Sequence, residues 1–346
     1  MAYTTIDNSE LHFQAKTYTG TGSSNAITLD GSENMQPDLV WIKHRNEANW
    51  NNLYDVVRGV TKRLFSNETN AEETQSAGLT AFGSDGFTVG SNVDVNKSSG
   101  SYVAWNWKAG GSASSNSNGS ITTSVSANTT AGFSIVKLDK TTNSSTASTF
   151  GHGLSSAPEV IILKRTDGTE DWYMYHASMG NAARVQLNEN EAKTQGTGVW
   201  GETDPTSSVF TVKSFNPGEA IAYCFHSVAG FSKFGTFTGN GNADGTFIYT
   251  GFKPAFFLLK EISSAGEGWP LQDNKRDTAI NPVSTTSYAS AANAENTGYR
   301  YVDFNSNGFK IRNTQDDYNT SGSTHIFLAF AESPFVNSSG TPTNAR

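Results

Sequence analysis

The sequence predicts an all-β fold made of three tandem antiparallel β-sandwiches, jelly-roll or lectin-like in kind. Three observations point there. An eight-residue pattern occurs three times, as QPDLVWIK (Gln36–Lys43), APEVIILK (Ala157–Lys164) and KPAFFLLK (Lys253–Lys260). Further landmarks follow each copy in the same order at nearly constant spacing. Composition is the third: charged residues are 16% of the 346-residue chain and aromatics 12%, while Gly, Ser, Thr and Asn abound. Strong helix formers never cluster at helical spacing over a long window.

Each copy opens with Pro, one variable residue, four apolar residues and Lys. Four consecutive apolar residues, in place of strict alternation, predict a strand covered on both faces. Pro at its head removes a ladder donor where little is lost. A short polar loop then leads to a Trp: Trp50, Trp172 and Trp269. The Phe of a second strand stands 50, 52 and 55 residues after the Pro, in DGFTVG (Asp85–Gly90), SVFTVK (Ser208–Lys213) and NGFKIR (Asn307–Arg312). In the first and third copies SDG (Ser84–Gly86) and SNG (Ser306–Gly308) supply turn residues ahead of that strand. A closing strand follows as YVAWNW (Tyr102–Trp107), IAYCF (Ile221–Phe225) and IFLAF (Ile326–Phe330). Landmarks repeated in this way indicate tandem duplication. The first two copies also share RLFSNE (Arg63–Glu68) and RVQLNE (Arg184–Glu189), where the third has diverged.

These landmarks divide the chain into an N-terminal arm (1–12), a first sandwich (13–110), a linker (111–131), a second sandwich (132–234), a third (235–336) and a C-terminal tail (337–346). The linker reading rests on GSASSNSNGSITTSVSANTTA (Gly111–Ala131), almost free of charge and of large apolar side chains. Its alternative is a strand laid on a neighbour's edge. The second and third sandwiches join without a spacer and are expected to pack as a rigid pair. A string of beads and closure around a pseudo-threefold axis are both open at this level.

Charge narrows the partners. The formal net charge is −8, and the densest basic clusters are as short as Lys62-Arg63. Neither nucleic acid nor an anionic membrane surface is an expected partner. Cys224 is the single cysteine, so the chain forms no disulfide within itself; in IAYCFHS it reads as a buried small hydrophobe. The start, MAYTTIDNSE, has neither a charged n-region nor an apolar h-region, which points to synthesis in a cytoplasm. No run of about 18 apolar residues is present to span a membrane.

Motifs for chemistry are sparse. TGTGSSN (Thr19–Asn25) and TGNGNADG (Thr238–Gly245) lack the G-x-G-x-x-G spacing and lead into no helix, so they read as hairpin turns. No two of the six His lie within five residues of each other, and DVN (Asp94–Asn96) and QDDYN (Gln315–Asn319) match no calcium loop. No metal, cofactor or catalytic residue is assigned. The Trp landmarks offer the one candidate site. Each is followed by a polar residue, giving the pairs Trp50 and Asp55, Trp172 and His176, and Trp269 and Asp273. A flat ring beside a carboxylate or imidazole can hold a sugar, and the same Trp can instead fill a core.

Several stretches carry a resemblance to a known family: VRGVTKRLFSNET (Val57–Thr69), YVAWNWKAGGSASSN (Tyr102–Asn116), GFSKFG (Gly230–Gly235), YTGFKPAF (Tyr249–Phe256), DNKRD (Asp273–Asp277), NGFKIR (Asn307–Arg312) and AFAESPF (Ala329–Phe335). They resemble the repeat-bearing structural proteins of marine tailed bacteriophages, of cyanophage and pelagiphage type. The resemblance implies a non-enzymatic virion protein of the tail-fibre or receptor-binding kind, made in the host cytoplasm and released by lysis. Expected partners are other virion proteins and host surface glycans, and a homotrimer is the expected oligomer of a fibre. A capsid-decorating protein anchored through Met1–His12 and a polysaccharide depolymerase are the alternatives.

Overall fold

Short runs of β-branched and aromatic residues, bounded by Gly, Asn, Asp and Ser, form strands along the whole chain. The structure, a computed structural model, describes residues 3–141, 146–196, 198–213, 215–277 and 281–343. The first segment holds β1 (Phe13–Thr19), β2 (Asn25–Thr28), β3 (Leu39–His44), β4 (Asn52–Asp55), β5 (Lys62–Phe65), β6 (Glu73–Thr74), β7 (Leu79–Gly83), β8 (Gly86–Val89) and β9 (Ser101–Trp107). The second holds β10 (Ser114–Asn116), β11 (Thr123–Asn128), β12 (Phe133–Thr141), β13 (Ser148–Gly151), β14 (Val160–Arg165), β15 (Tyr173–His176), β16 (Ala183–Gln186), β17 (Thr194–Gln195), β18 (Val209–Val212) and β19 (Gly218–Phe225). The third holds β20 (Ser232–Thr238), β21 (Phe247–Tyr249), β22 (Phe252–Glu261), β23 (Pro270–Asp273), β24 (Ser287–Tyr288), β25 (Val302–Asn305), β26 (Gly308–Ile311) and β27 (Thr324–Pro334). Helix among the described residues is confined to single turns such as Val93–Asn96 and Asp316–Asn319.

The protein is therefore all-β, with several antiparallel sheets and no closed barrel among the described residues. One strand order recurs. The large sheets run β1-β9-β3-β4-β5, β12-β19-β14-β15-β16 and β20-β27-β22-β23-β24. The small sheets are β2-β8-β7, β13-β18 and β21-β26-β25. The glycines of SDG and SNG fall where only hydrogen fits: a Cβ on Gly86 would stand 2.0 Å from the Ile27 carbonyl oxygen, and one on Gly308 2.1 Å from that of Ile248.

Both faces of the Pro–apolar–Lys strand are covered. Side chains alternate along a strand. In β3, Val40 and Ile42 face the small sheet of their own segment, packing with Ile27, Phe87 and Val89. Leu39 and Trp41 face the opposite way, into a core to which all three segments contribute. Their counterparts there are Val160 and Ile162 in β14 and Phe256 and Leu258 in β22. The ladders place Trp107, Phe225 and Phe330 of the closing strands beside Leu39, Val160 and Phe256. A void of about 30 Å³ marks the centre, lined by four residues from each segment, among them Leu39, Trp41, Ile162, Tyr223, Leu258 and Phe330. Cys224 is fully buried, on the side of its sheet facing the second segment's own core.

The linker reading is revised. Residues 114–116 and 123–128 are strands that extend the second large sheet in the order β10-β11-β12. Val125 is buried there, and the Thr123 hydroxyl donates to the Gly151 carbonyl at 2.9 Å. Backbone pairing, which composition does not encode, holds this Ser- and Thr-rich stretch in place. Within the arm, Thr4 and Ile6 are buried. The described part of the tail turns back so that Ser338 donates from its amide (2.7 Å) and hydroxyl (2.6 Å) to Asp7; residues 344–346 of the tail lie outside the described residues.

Phe330 touches the rings of Phe13 and Trp107, of Phe225, and of Phe234 and Phe256, so it meets side chains from every segment. Phe330→Ala is expected to destabilise the chain by about 3–5 kcal/mol. Urea unfolding of both proteins checks this, and calorimetry should show one cooperative transition; three separable transitions would contradict a shared core.

Candidate functional site

The residues repeated in sequence meet at the seams between segments. Strand register fixes which positions correspond. Leu39 pairs with Asp55, Val160 with His176 and Phe256 with Asp273, so Asp55, His176 and Asp273 occupy one position. Four residues earlier stand Asn51, Trp172 and Trp269. Trp50 is thus one residue out of step with the other two tryptophans. Their shared backbone contacts agree: the amides of Asn51, Trp172 and Trp269 donate to Asn67 Oδ1, Asn188 Oδ1 and Ser290 Oγ.

The side chains at this position reach into the neighbouring segment. Trp172 Nε1 donates to the Phe65 carbonyl at 2.8 Å and to that of Glu68 at 3.1 Å. Trp269 Nε1 donates to the Gln186 carbonyl at 2.8 Å. Asn51 Nδ2 donates to the carbonyls of Tyr288 (3.1 Å) and Ala291 (3.0 Å). Phe65, Gln186 and Tyr288 are themselves equivalent, each just ahead of the residue whose amide returns to Asn51, Trp172 or Trp269. The second segment donates to the first, the third to the second and the first to the third, so the seams close into a ring.

The Lys of each repeat does the same work. Lys43 Nζ bridges the carbonyls of Asn49 (2.5 Å) and Ala292 (2.7 Å). Lys164 Nζ bridges those of Glu170 (2.9 Å) and Thr69 (3.0 Å), and Lys260 Nζ those of Glu267 (2.5 Å) and Asn190 (3.4 Å). One carbonyl of each pair belongs to the lysine's own loop and the other to the next segment. All three lysines are fully buried. Burial pushes the ammonium of Lys43 down to about 7 and those of Lys164 and Lys260 to about 8. A third contact repeats beside them: the amides of Glu72, Lys193 and Glu295 donate to the carbonyls of Thr166, Ile262 and Arg45.

The polar member of each predicted pair is also in a seam. Asp55 Oδ2 accepts from Arg58 Nε at 2.5 Å and from the Tyr223 hydroxyl of the second segment at 2.8 Å. Asp273 Oδ2 accepts from Arg276 Nε at 2.6 Å and from Trp105 Nε1 of the first segment at 2.9 Å. Burial and the Asp55 carboxylate hold the Tyr223 hydroxyl well above its usual range, so it stays a donor. The residue matching Tyr223 and Trp105 in the third segment is Leu328, which offers no donor. There the carboxylate is replaced by His176 and the arginine by Met179. His176 accepts from the Ser178 amide at its Nδ1 (3.2 Å), and burial pushes it down to about 4, leaving it neutral.

Of the six residues expected to hold a ligand, Asp55, Trp172, His176, Trp269 and Asp273 are buried, each at 1% exposure or less. Trp50 alone keeps an open face, at 37%, with its other side tilted against Phe65 at 4.7 Å. The structure thus brings these residues together as seam pairs rather than as open platforms. Sequence reasoning missed Arg58, Arg276 and the role of the lysines. The signal was a charge held at one fixed place in each apolar run. Among the described residues no group of three or more His, Cys, Asp or Glu is placed to hold a metal. No described helix is long and apolar enough to cross a membrane.

Fold and seams define a class: an all-β protein of several antiparallel sheets, whose three large sheets share one five-strand order and meet through a ring of buried donors. The chain belongs to the family of the domain of unknown function DUF7483, whose model matches residues 8–334. That range ends with the last residue of β27 and takes in all three segments. None of the curated proteins compared with the chain matches it.

Removing a seam donor should cost stability without disturbing any single sheet. Lys164→Met removes a buried ammonium's bonds to the half-buried Glu170 and Thr69 carbonyls, the latter keeping the Glu170 amide, and is expected to cost about 1–2 kcal/mol, and Trp172→Phe about 1–3 kcal/mol, in urea unfolding. His176 also sets a pH dependence. Its folded value of about 4 lies below the ordinary imidazole value of 6.5, so between these values the unfolded chain binds more protons. Stability from this group is complete above pH 6.5 and falls as pH drops towards 4. His12 and His152, pushed by burial to about 4 as well, add to the same slope, so His176→Gln should make that part of the stability–pH curve shallower by one group's share; an unchanged slope would remove His176 from the account.

Proposed function

We propose that this chain is a non-enzymatic virion structural protein of the tail-fibre or receptor-binding kind, built from three duplicated β-sandwich units of lectin-like type. The observation that carries the reading is the engagement of the repeated polar residues. Each repeated Lys, each residue in the Trp172 position, and both Asp55 and Asp273 are buried at a seam, where they tie one segment to the next. Chemistry spent on assembly leaves the outward sheets as the surfaces for contact. Duplication multiplies such surfaces. The resemblance of YVAWNWKAGGSASSN, NGFKIR and AFAESPF to marine phage structural proteins supports the same reading. Partners in this role are other virion proteins and the host surface, reached through outer faces because the seams are already filled.

Cryo-electron microscopy of intact virions, with mass spectrometry of the purified particles, tests this. The expected outcome is density on the tail or its fibres that fits this chain. Finding the protein only inside the capsid, or absent from the particles, would overturn the proposal; finding it on the outer capsid lattice would replace it with a decorating role.

A further inference from the structure

The shared register lets the outer faces of the small sheets be compared position by position. Phe87, Phe210 and Phe309 are buried at equivalent inner positions and set the phase. Their ladder partners Ile27, Phe150 and Ile248 point inward as well. The flanking residues of β2, β13 and β21 therefore face out. In the first segment they are Ala26 and Thr28, both exposed; in the second they are Thr149, half-buried, and Gly151, which is buried beneath Asn116. In the third they are Phe247, 42% exposed, and Tyr249, 56% exposed. The open sister face of the first segment, with its small side chains, shows that the fold does not need rings there.

The same face carries a closed set of charges. Lys310 lies opposite Phe247 on one side and Asp303 on the other. Asp244 accepts from Lys310 Nζ at 2.8 Å and from Arg312 at 3.4 Å, and Arg312 Nε lies 3.5 Å from Asp303 Oδ2. In the first segment the positions of Lys310 and Asp303 hold Thr88 and Ala81. Tyr301 stands two residues before Asp303 on the same side, 38% exposed, and its carbonyl accepts from the Arg312 amide. Three exposed rings thus share this side of the sheet with the acids Asp244 and Asp303 and the bases Lys310 and Arg312, and a third base, Lys233, lies 5.6 Å over the Tyr249 ring.

We propose that this outer face of the third segment binds a neutral saccharide chain. Exposed rings cover the C–H faces of pyranose units, while carboxylates and cationic side chains held in fixed orientation accept from and donate to neighbouring hydroxyls. A protein partner fits less well, because the centre of a protein interface is depleted of charge and here the charges are central. Nucleic acid would meet two carboxylates on a chain of net charge −8. The inference names the ligand class for the host-contact reading, and rests on that reading only for where the saccharide comes from.

The test is an array of defined neutral and acidic oligosaccharides probed with the full chain, followed by calorimetric titration of the strongest neutral binder. Saturable binding is expected. Phe247→Ala and Tyr249→Ala should each weaken it at least about tenfold, with melting temperatures unchanged because both rings are exposed. Tyr3→Ala, which removes an exposed ring elsewhere, should leave binding intact. Absence of saturable binding across the array, or binding that survives both substitutions, would overturn the inference. Dimerisation abolished by Tyr249→Ala in sedimentation would overturn it too, by making a second copy the occupant. Saccharide binding by a protein missing from virions would support this inference while overturning the host-attachment reading.

Discussion

The structure depends on supplying donors to backbone carbonyls that leave the sheets at the seams. A loop that packs against another segment loses water, and each carbonyl in it needs a partner. Lys43, Lys164 and Lys260 meet this need from the middle of a large sheet, each reaching one carbonyl of its own loop and one of its neighbour. An ammonium suits the task because it carries three donors on a flexible stem. The stem runs along the strand face that also carries the shared core, so apolar packing and hydrogen bonding meet in one residue.

Each Pro–apolar–Lys strand serves two cores at once. Its even and odd positions look to different neighbours, one to the small sheet of its own segment and one to the common centre. Each such buried side chain contributes about 1.5–3 kcal/mol relative to exposure. No segment can keep both faces dry alone. The central face of every large sheet is covered only when the other two segments are in place, and this links the closing of the ring to the folding of its parts.

The Asp55, His176 and Asp273 position shows how the seams diverged under one rule. A buried carboxylate is stable only with its charge and lone pairs satisfied. Where the facing strand supplies Tyr223 or Trp105, the residue is Asp and an Arg follows three positions later. Where it supplies Leu328, a neutral His and Met179 stand instead. The change in one segment tracks the donor offered by the next, which no inspection of a single repeat would reveal.

Much of the architecture was legible in the sequence because its causes are local. Period-two burial, turn glycines such as Gly86 and Gly308, and the order of landmarks follow from residues a few positions apart. The candidate site was legible only in part. The Trp and Asp positions stood out, yet counting from the Lys placed Trp50 beside Trp172 and Trp269, when ladder pairing puts Asn51 there; one residue of loop length is invisible until two strands pair. The sequence by itself determined the strands, their repetition and the fixed place of a charge in each buried run. Only the tertiary structure decided that Ala292 is the partner of Lys43, that residues 114–128 carry strands of the second large sheet, and that the segments close into a ring. Those contacts join residues far apart in the chain, and their energy comes from desolvated backbone groups, whose partners composition and spacing do not encode.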